Sequence, residues 1–310
     1  MDSIAIIIPC YNEKKTIKKV VTDCKYYLPE AKVYVCDNNS IDGSDEIAKN
    51  VGADVYYERK QGKGNAVRTM LRQIDAKCYV IVDADDTYDL SNIKDMCDLV
   101  LNDNIDMVVG DRLSSTYFNE NKRLFHNFGN KLVLYIINKF FDTNIRDVMT
   151  GFRCLSYEFA KTFPIVSKNF EIETEMTIHA VYHNMNIQNI IIGYKDRPKD
   201  SPSKLNTIKD GVKVIKMIFS LYKNYKPFYF FSFIAFVLFA VSTVFFTPVF
   251  IEFLNTKFVS KIPTVFVCGF VYIISFLSFF TGVILSTIAD NEKKEFEHKL
   301  ILSNYLKKIN

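Results

Sequence analysis

The sequence contains no C-x-x-C pair, and its seven cysteines are scattered and odd in number. A disulfide framework requires paired cysteines and a structural zinc site requires closely spaced ones, so the sequence supports neither. Scattered cysteines fit single buried thiols in a reducing compartment. The chain also lacks a large excess of charge, since its formal net charge is +4 over 310 residues. Nucleic-acid binding usually requires a much stronger basic patch, so we expect no nucleic-acid partner.

Charged residues are missing altogether from two long stretches, 228–251 and 262–289. As a helix, each stretch is long enough to cross a hydrocarbon core of ~30 Å. A pair of buried helices in a soluble protein is the alternative, but soluble helices of this length normally show a polar face. The sequence therefore predicts two membrane spans.

The distribution of lysines predicts the orientation of these spans. Five lysines lie shortly before the first span, whereas the loop 252–261 has two lysines and one glutamate. By the positive-inside rule, both ends of the chain are expected in the cytoplasm and the protein in the plasma or inner membrane. No signal peptide is expected, because the first residues run directly into a strand pattern. The predicted organisation is a cytoplasmic domain 1–205, a juxtamembrane amphipathic segment 206–227, spans 228–251 and 262–289, an external loop 252–261 and a cytoplasmic tail 290–310.

Two segments combine basic and apolar residues at helical spacing, 206–227 and about 117–140. Such segments are suited to an anionic lipid surface, so membrane lipids are predicted partners. For 117–140, an ordinary surface helix of the cytoplasmic domain fits the pattern nearly as well.

Short apolar runs alternate with helical patterns through the first 110 residues. The runs lie at 4–9, 33–36, 55–57, 79–82 and 107–110, and the helical patterns lie near 14–27, 43–51, 65–77 and 91–103. This alternation predicts an α/β fold with a mainly parallel sheet and helices on both faces. Ligands of such sheets bind at the carboxyl ends of the strands, and the polar clusters of this sequence fall there.

The stretch "DADDTYD" places four carboxylates within seven residues, directly after an apolar run. Asp83 and Asp85 can both turn toward one hard cation, Mg²⁺ or Mn²⁺, which prefers oxygen ligands and keeps positions open for phosphate. A solvated acidic turn, or a helix N-cap formed by Asp86 or Asp89, would explain one or two of the acids. The motif alone leaves both interpretations open.

Two further clusters suit a nucleotide. In "GKG", Gly62, Lys63 and Gly64 place backbone N–H groups and a lysine at a helix start, where they can contact phosphate or base. The cluster lacks the third glycine of a dinucleotide fingerprint and the hydroxyl residue of a P-loop. Asp37 follows the second apolar run, where a carboxylate can accept hydrogen bonds from a base or ribose, although an ordinary turn also fits.

Seven motifs occur in order before the two spans: "IIIPCYNE", "DNNSIDGS", "GKGNAV", "DADDTYD", "DVMTGFR", "FEIETEM" and "RPKDSPSKLNTIKDG". Together they resemble the family 2 glycosyltransferases that act on polyprenyl phosphates, including the dolichyl-phosphate mannosyltransferases and the bactoprenol glucosyltransferases of the GtrB type. The resemblance covers essentially the whole chain. It implies a GT-A fold and inverting transfer of a sugar from a nucleoside-diphosphate sugar to a polyprenyl phosphate, for cell-surface glycan modification. Mannosyl enzymes often have glutamine where this chain has Thr87, which disfavours mannose. A UDP-sugar such as UDP-glucose is the expected donor, and the sequence leaves the sugar and the base open.

The resemblance also implies roles for individual residues. Asp83 and Asp85 would hold Mg²⁺ or Mn²⁺ on the donor diphosphate, with Asp85 and Arg197 among the catalytic residues. The implied nucleotide-sugar site comprises Pro9, Tyr11, Glu13, Asp37, Lys63, Gly64, Asp83, Ala84 and Asp85, together with Ser203 and Lys204 of a basic loop over the phosphates. A metal clamp with basic side chains lowers the barrier by stabilising charge on the departing diphosphate.

The acceptor phosphate is an anion and needs positive side chains to position it. The candidates are Arg112, Arg123 and Arg153, with structural salt bridges as the alternative for each. Asp147 is predicted to be catalytic, by orienting or deprotonating the acceptor. It is favoured over the acids of "FEIETEM", Glu171, Glu173 and Glu175, because acids suit a helix start.

Three rival functions are weaker. A processive polysaccharide synthase would resemble this chain but carry a Q-x-x-R-W motif, and the sequence has no tryptophan. A noncatalytic membrane scaffold would be expected to have lost polar residues that are present here. A soluble nucleotidyltransferase does not need two spans. Two-span hairpins often need partners to bury interhelical faces, which favours a homo-oligomer, and a flippase for the lipid-linked sugar would act downstream.

Overall fold

The computed structural model describes residues 1–114, 134–135, 137–139, 145–169, 171–195, 216, 219–220 and 222–309. The chain divides into two compact units. One unit comprises Met1–Ile218 together with Phe296–Asn310, and the other comprises Phe219–Glu295.

A seven-stranded sheet forms the centre of the first unit, in the order β3-β2-β1-β4-β6-β5-β7. The strands are β1 Asp2–Cys10, β2 Lys32–Asp37, β3 Asp54–Tyr57, β4 Ala76–Ile81, β5 Met107–Asp111, β6 Arg153–Ser156 and β7 Ile187–Ile191. All neighbours are parallel except β6, which runs antiparallel to both β4 and β5. The predicted mainly parallel sheet and its first five strands are confirmed, whereas β6 and β7 were not predicted.

Helices cover both faces of this sheet. They are α1 Ile17–Tyr27, α2 Ser44–Asn50, α3 Lys63–Gln73, α4 Ile93–Asn102, α5 Tyr157–Thr162 and α6 Ile172–Tyr182. Side chains alternate along a strand, so β1 packs Ile6 and Ile8 against α1 and α4, and Ala5 and Ile7 against α3, α5 and α6. Each fully buried isoleucine stabilises the fold by roughly 2–3 kcal/mol relative to an exposed one. The two apolar layers fix the strand ends from which the polar clusters project.

The seven cysteines are all buried and free. Burial raises the pKa of the Cys10, Cys24 and Cys36 thiols to about 12. The prediction of single buried thiols is confirmed.

Two long apolar helices follow, α7 Pro227–Thr256 and α8 Ile262–Ile309. Both are long and apolar enough to cross a membrane, and few of their side chains are buried. Pro248 lies inside α7, and lipid-embedded helices tolerate a proline in their interior. The stretch predicted as a separate tail, 290–310, continues α8 as far as Ile309.

Small side chains recur every seven residues where α7 meets α8. The recurring buried positions are Ala235, Ser242 and Val249 on α7 and Cys268, Ser275, Gly282 and Ala289 on α8. A seven-residue repeat keeps one face of each helix on its partner, as in a left-handed coiled coil. Across this contact, the Ser242 hydroxyl donates to the Cys268 carbonyl at 3.0 Å and the Ser275 hydroxyl donates to the Ala235 carbonyl at 2.7 Å. Small residues and hydroxyl bonds of this kind hold helices together in lipid.

Gly282→Leu should weaken the contact between α7 and α8. A Cβ atom at Gly282 would lie 3.0 Å from the Phe231 Cβ atom, whereas one at Gly269 would meet nothing within 4 Å. We expect Gly282→Leu to cost about 1–3 kcal/mol by overpacking, and Gly269→Leu, on the same helix, to be nearly neutral. The measurement is the fraction of detergent-solubilised protein that survives heating, read by size-exclusion chromatography. Equal survival of both variants would contradict this packing.

Candidate active site

The four carboxylates of the acidic turn after β4 have two different roles. Asp86 has a positive φ of 56° and its carboxylate lies 2.6 Å from the Lys19 ammonium on α1. Asp89 accepts the Ser91 N–H at 3.0 Å and so shapes the turn before α4. These two acids are structural, as the interpretation of an acidic turn predicts, but neither is the N-cap of α4, which is Asn92. The turn leaves Asp83 and Asp85 at the end of the sheet.

Asp83 contacts a buried cation. One of its oxygens forms an ion pair with the Lys63 ammonium, and the other accepts the Tyr88 hydroxyl at 3.1 Å. The same ammonium lies 2.5 Å from Glu173 Oε1 on α6. Burial opposes the charged form of Lys63, but Asp83 and Glu173 outweigh it and raise the lysine pKa. Burial raises the pKa of Glu173. The result is a carboxylate–ammonium–carboxylate cluster at the start of α3.

Asp85 is buried and its Oδ1 accepts two bonds from Thr87, from the hydroxyl at 2.7 Å and from the N–H at 3.3 Å. Thr87 therefore orients the second aspartate of the pair. Between them, the Ala84 carbonyl accepts the Thr16 hydroxyl at 2.6 Å, which ties the turn to the start of α1.

The glycines of "GKG" allow another segment to pass very close. A Cβ atom at Gly62 would clash with the Lys168 carbonyl, and one at Gly64 would clash with the Ser167 carbonyl. Gly62 also has a φ of 131°, which disfavours other residues. Two N–H groups of this cluster already have acceptors, because Gly62 donates to Asn38 Oδ1 at 2.7 Å and Gly64 donates to the Lys168 carbonyl at 3.0 Å. In this conformation these two groups do not offer a phosphate site, so Lys63 is the part of the cluster that faces the acids.

The segment over the start of α3 is held by α6. Glu175 accepts the N–H groups of Val166 at 3.0 Å and Ser167 at 2.9 Å. Glu173 thus binds Lys63 at the start of α3 and Glu175 binds the segment over it, whereas the sequence treated both as acids of a helix start. The sequence offered no signal for the pairing of Glu173 with Lys63, because these residues lie 110 positions apart along the chain.

Asp37 at the end of β2 has an unused oxygen. Its Oδ2 accepts the Ser40 N–H at 3.1 Å, while its Oδ1 is buried without a partner among the described residues. Such an oxygen costs about 1–3 kcal/mol unless a ligand donates to it. The prediction of a contact to base or ribose fits this atom.

The other residues implied for the nucleotide lie close by in the sheet. Pro9 is paired with Cys36 on β2, and Glu13, just beyond β1, is buried with its N–H donating to the Ser44 hydroxyl at 2.9 Å. Tyr11 is 38% exposed and presents its ring at the surface. Since β2, β1 and β4 are neighbours, the ends that carry Asp37, Glu13 and Asp83 lie side by side.

Asp147 and Arg112 form a bidentate ion pair. Arg112 Nε donates to Asp147 Oδ2 at 2.8 Å and Nη2 donates to Oδ1 at 3.2 Å. Asp147 is 1% exposed and also accepts the N–H groups of Arg112 and Met149. Both carboxylate oxygens are therefore engaged, which suits a residue that orients an arginine better than a base that removes a proton.

Arg153 does not reach a surface where an acceptor could bind. It is 1% exposed on β6, and its guanidinium donates to the Thr150 carbonyl at 3.0 Å, the Val148 carbonyl at 2.7 Å and the Thr177 hydroxyl at 2.8 Å. Its predicted contact with an acceptor phosphate is not supported, because these acceptors already take its donors. Arg123, Arg197, Ser203 and Lys204 lie outside the described residues, as do most of 117–140 and 206–215.

Tyr88 and Gly151 also belong to the site. The sequence did not predict a role for either residue, although both lie within motifs that it contains. The Tyr88 hydroxyl accepts the Gly151 N–H at 2.9 Å while it donates to Asp83. Burial raises the pKa of Tyr88, which keeps this donor protonated. A Cβ atom at Gly151 would clash with the ends of the Asp83 and Lys63 side chains, so a larger residue there would displace the cluster.

The site offers carboxylate oxygens, which are the type of ligand that a hard divalent cation prefers. Within the described part of the chain there is no group of three or more His, Cys, Asp or Glu side chains that could hold a metal. Two carboxylates, Asp83 and Asp85, can hold Mg²⁺ or Mn²⁺ when phosphate oxygens and water complete the shell. The ion pair with Lys63 shows that the Asp83 carboxylate already binds a positively charged group in this position.

Comparisons with known proteins find a matching family model and several relatives. The model of the family described as "Glycosyl transferase family 2" matches residues 5–163. Protein RfbJ of Shigella flexneri is 48% identical over 110 residues, 36% of this chain and 85% of RfbJ. Glycosyltransferase AglJ of Haloferax volcanii is 32% identical over 213 residues, 68% of this chain and 69% of AglJ. A dolichyl-phosphate hexose transferase of the same organism is 28% identical over 217 residues, 70% of this chain and 92% of that protein.

Among solved structures, one similar fold is glucosyl-3-phosphoglycerate synthase from Mycobacterium tuberculosis, in complex with Mn²⁺, UDP-glucose and phosphoglyceric acid. The TM-score is 0.56 at 17% identity, over 71% of this chain and 80% of that one. This likeness establishes the GT-A fold.

Proposed function

Because the chain belongs to glycosyl transferase family 2 and is a glycosyltransferase, we propose that it transfers a sugar from a nucleoside-diphosphate sugar to a polyprenyl phosphate. The observation that carries the donor half is the set of acids at one edge of the sheet, where Asp37 ends β2, Asp83 and Asp85 follow β4, and β1 lies between these strands. One buried oxygen of Asp37 has no partner among the described residues. The relative named dolichyl-phosphate hexose transferase supports the acceptor half. The UDP-glucose complex of the structural neighbour supports a UDP-sugar.

Asp83 and Asp85 would hold Mg²⁺ or Mn²⁺, which when bound neutralises the charge that develops on the departing diphosphate. Lys63 adds a fixed positive charge beside Asp83. Asp37 would bind base or ribose, with Pro9, Tyr11, Glu13 and Ala84 forming the rest of the pocket. Gly64 would line it, and Arg197, Ser203 and Lys204 stay a predicted loop over the phosphates.

Arg112 would hold the acceptor phosphate, with Asp147 fixing the plane of its guanidinium. Arg123 stays a predicted second contact. A phosphate oxygen attacks the anomeric carbon on the face opposite the diphosphate, which inverts the configuration. A phosphomonoester has a second pKa of about 6, so near pH 7 most of the acceptor is already a dianion and needs orientation more than deprotonation.

Asp147→Asn should lower the transfer rate by a similar factor, on the order of 10–100-fold, at pH 6 and at pH 8. The reason is that asparagine loses the charge that orients Arg112, and this loss does not depend on the protonation of the acceptor. The measurement is a pH–rate profile on membranes with saturating donor. If the variant were crippled at pH 6 and recovered strongly by pH 8, Asp147 would be a base.

The two apolar helices would anchor the enzyme, with residues 1–205 and the last turns of α8 in the cytoplasm and 252–261 outside. Protease added outside intact cells should then spare the N-terminal domain. Cleavage of that domain from outside would overturn this topology. The homo-oligomer and the downstream flippase stay predictions.

A radiolabel transfer screen tests the function directly. Membranes containing the protein are supplied with undecaprenyl phosphate and a panel of labelled UDP- and GDP-sugars. We expect one sugar to enter the organic phase as a single-sugar lipid, and membranes with an Asp85→Asn variant to give none. A water-soluble polymer would instead indicate a processive synthase, and no product with any donor would refute the proposal.

A further inference from the structure

The last turns of α8, from Phe296 onward, belong to the same compact unit as the sheet. Phe296 is 4% exposed, and its ring stacks on His183 of the segment just after α6 with centroids 3.6 Å apart. It also meets the edge of His179 at 5.3 Å. Burial, and then His183, lowers the pKa of His179 to about 3, so a neutral imidazole lines this aromatic contact.

The contact extends along the helix. Leu300 packs against the same apolar cluster, and the Lys307 ammonium lies 2.9 Å from Glu158 Oε1 on α5. From Phe296 to Lys307 the helix rises about 16 Å, so three turns of α8 lie against α5 and α6. These turns therefore form part of the sheet domain and not a loose tail.

The helix that Phe296 covers also carries Glu173, which binds a lysine of the donor site, and Glu175, which holds the segment over the start of α3. Ten of the eleven residues of α6 are buried, so the helix is enclosed on all sides. Near its start, Glu173 binds the Lys63 ammonium and Glu175 binds the N–H groups of Val166 and Ser167. A shift of α6 toward the space that Phe296 fills would pull both glutamates from their partners.

We propose that residues 296–309 are a positioning element, which holds α6 so that Glu173 stays on Lys63 and Glu175 stays on the 166–167 loop. Its predicted effect on sugar transfer rests on the proposed function, whereas its effect on the loop does not. Phe296 is the positioning residue that contributes most, because it is the most deeply buried side chain that the described residues of this segment bring to the contact.

The test uses the full chain in detergent, with Phe296→Ala compared with Tyr305→Ala, an exposed aromatic on the same turns of α8. We expect Phe296→Ala to speed hydrogen exchange of the Val166 and Ser167 amides by roughly 10-fold or more, while strands β1 and β4 keep their protection. Phe296→Leu, which keeps apolar volume, should restore most of that protection. Tyr305→Ala should resemble the wild type.

A second readout is kinetic. If the loop and Lys63 are loosened together, the KM for the sugar donor should rise by roughly fivefold in Phe296→Ala, with a smaller change in kcat. Lys307→Glu should weaken the contact in the same direction, and adding Glu158→Lys should reverse part of the change.

Wild-type exchange and wild-type KM in Phe296→Ala would overturn the inference. Equal loss of protection in the loop and in β1 and β4 would also overturn it, because the segment would then stabilise the domain as a whole. Hydrogen exchange needs no substrate, so it decides this inference even if the wild type transfers no sugar to polyprenyl phosphate.

Discussion

Asp85→Asn should abolish sugar transfer, with a loss of at least ~100-fold, because a metal ion at this site supplies several kcal/mol of charge stabilisation. Asparagine keeps the shape of the side chain and can still accept the bonds from Thr87. It loses the negative charge, and a hard divalent cation binds a neutral amide oxygen much more weakly than a carboxylate. EDTA should have the same effect on the wild type, and added Mg²⁺ or Mn²⁺ should restore transfer.

The matched control for this prediction is Asp86→Asn in the same turn. Asp86 pairs with Lys19 at the surface, and asparagine tolerates its positive φ well. We expect this variant to keep transfer within about twofold of the wild type, because a surface ion pair contributes little. If the wild type kept full activity in EDTA, all four acids would be a structural turn and the metal assignment would fail.

Lys63→Gln should reduce both transfer and stability. The ammonium is the cation between Asp83 and Glu173, and its side chain is only 9% exposed. Removing one member of a buried ion pair typically costs 3–5 kcal/mol, and we expect about 3 kcal/mol because Asp83 is partly exposed. Transfer should fall on the order of 100-fold, since the fixed charge beside the departing diphosphate is lost.

The double variant Lys63→Gln with Glu173→Gln separates these two effects. Replacing Glu173 removes the most deeply buried unpaired charge, so heat resistance should recover toward that of the wild type. Transfer should stay low, because no cation is restored beside Asp83. The measurements are survival after heating and the single-turnover rate with labelled donor. Full transfer by the double variant would show that Lys63 has a structural role only.

The sequence predicted the strands that follow the simplest rules. Runs such as 4–9 and 79–82 are apolar throughout, as strands covered on both faces are. Strand β6 has four residues and begins with Arg153, and the partly exposed β7 contains Gln188 and Asn189, so neither gives such a signal. Both are placed by pairing with β5, which lies far away along the chain.

The sequence likewise predicted one part of the candidate site and missed another. The rule that ligands bind at strand ends brought Asp37, Asp83 and Asp85 to one edge of the sheet. No local sequence pattern predicts that Lys63 contacts Glu173, which lies 110 residues away along the chain. The predicted contact of Arg153 with the acceptor phosphate is not supported for a related reason. The sequence shows that a side chain is charged, but it does not show how many carbonyl groups will surround that side chain in the fold.

The predicted end of the second span is a change in composition and not the end of the helix. Charged residues resume at Asp290, which marks where a hydrocarbon layer would end. The residues 290–309 contain neither glycine nor proline, so nothing in them stops a helix, and α8 continues.

The burial of all seven thiols makes the unmodified chain a ready background for site-specific labelling. A thiol reacts with maleimides or spin labels as an accessible thiolate, and these thiols are enclosed in the structure. A single cysteine introduced at an exposed position such as Ile41, which is 92% exposed, would then be the reactive one. Fluorescent or paramagnetic probes could therefore report on the loops around the acids without first replacing any native cysteine.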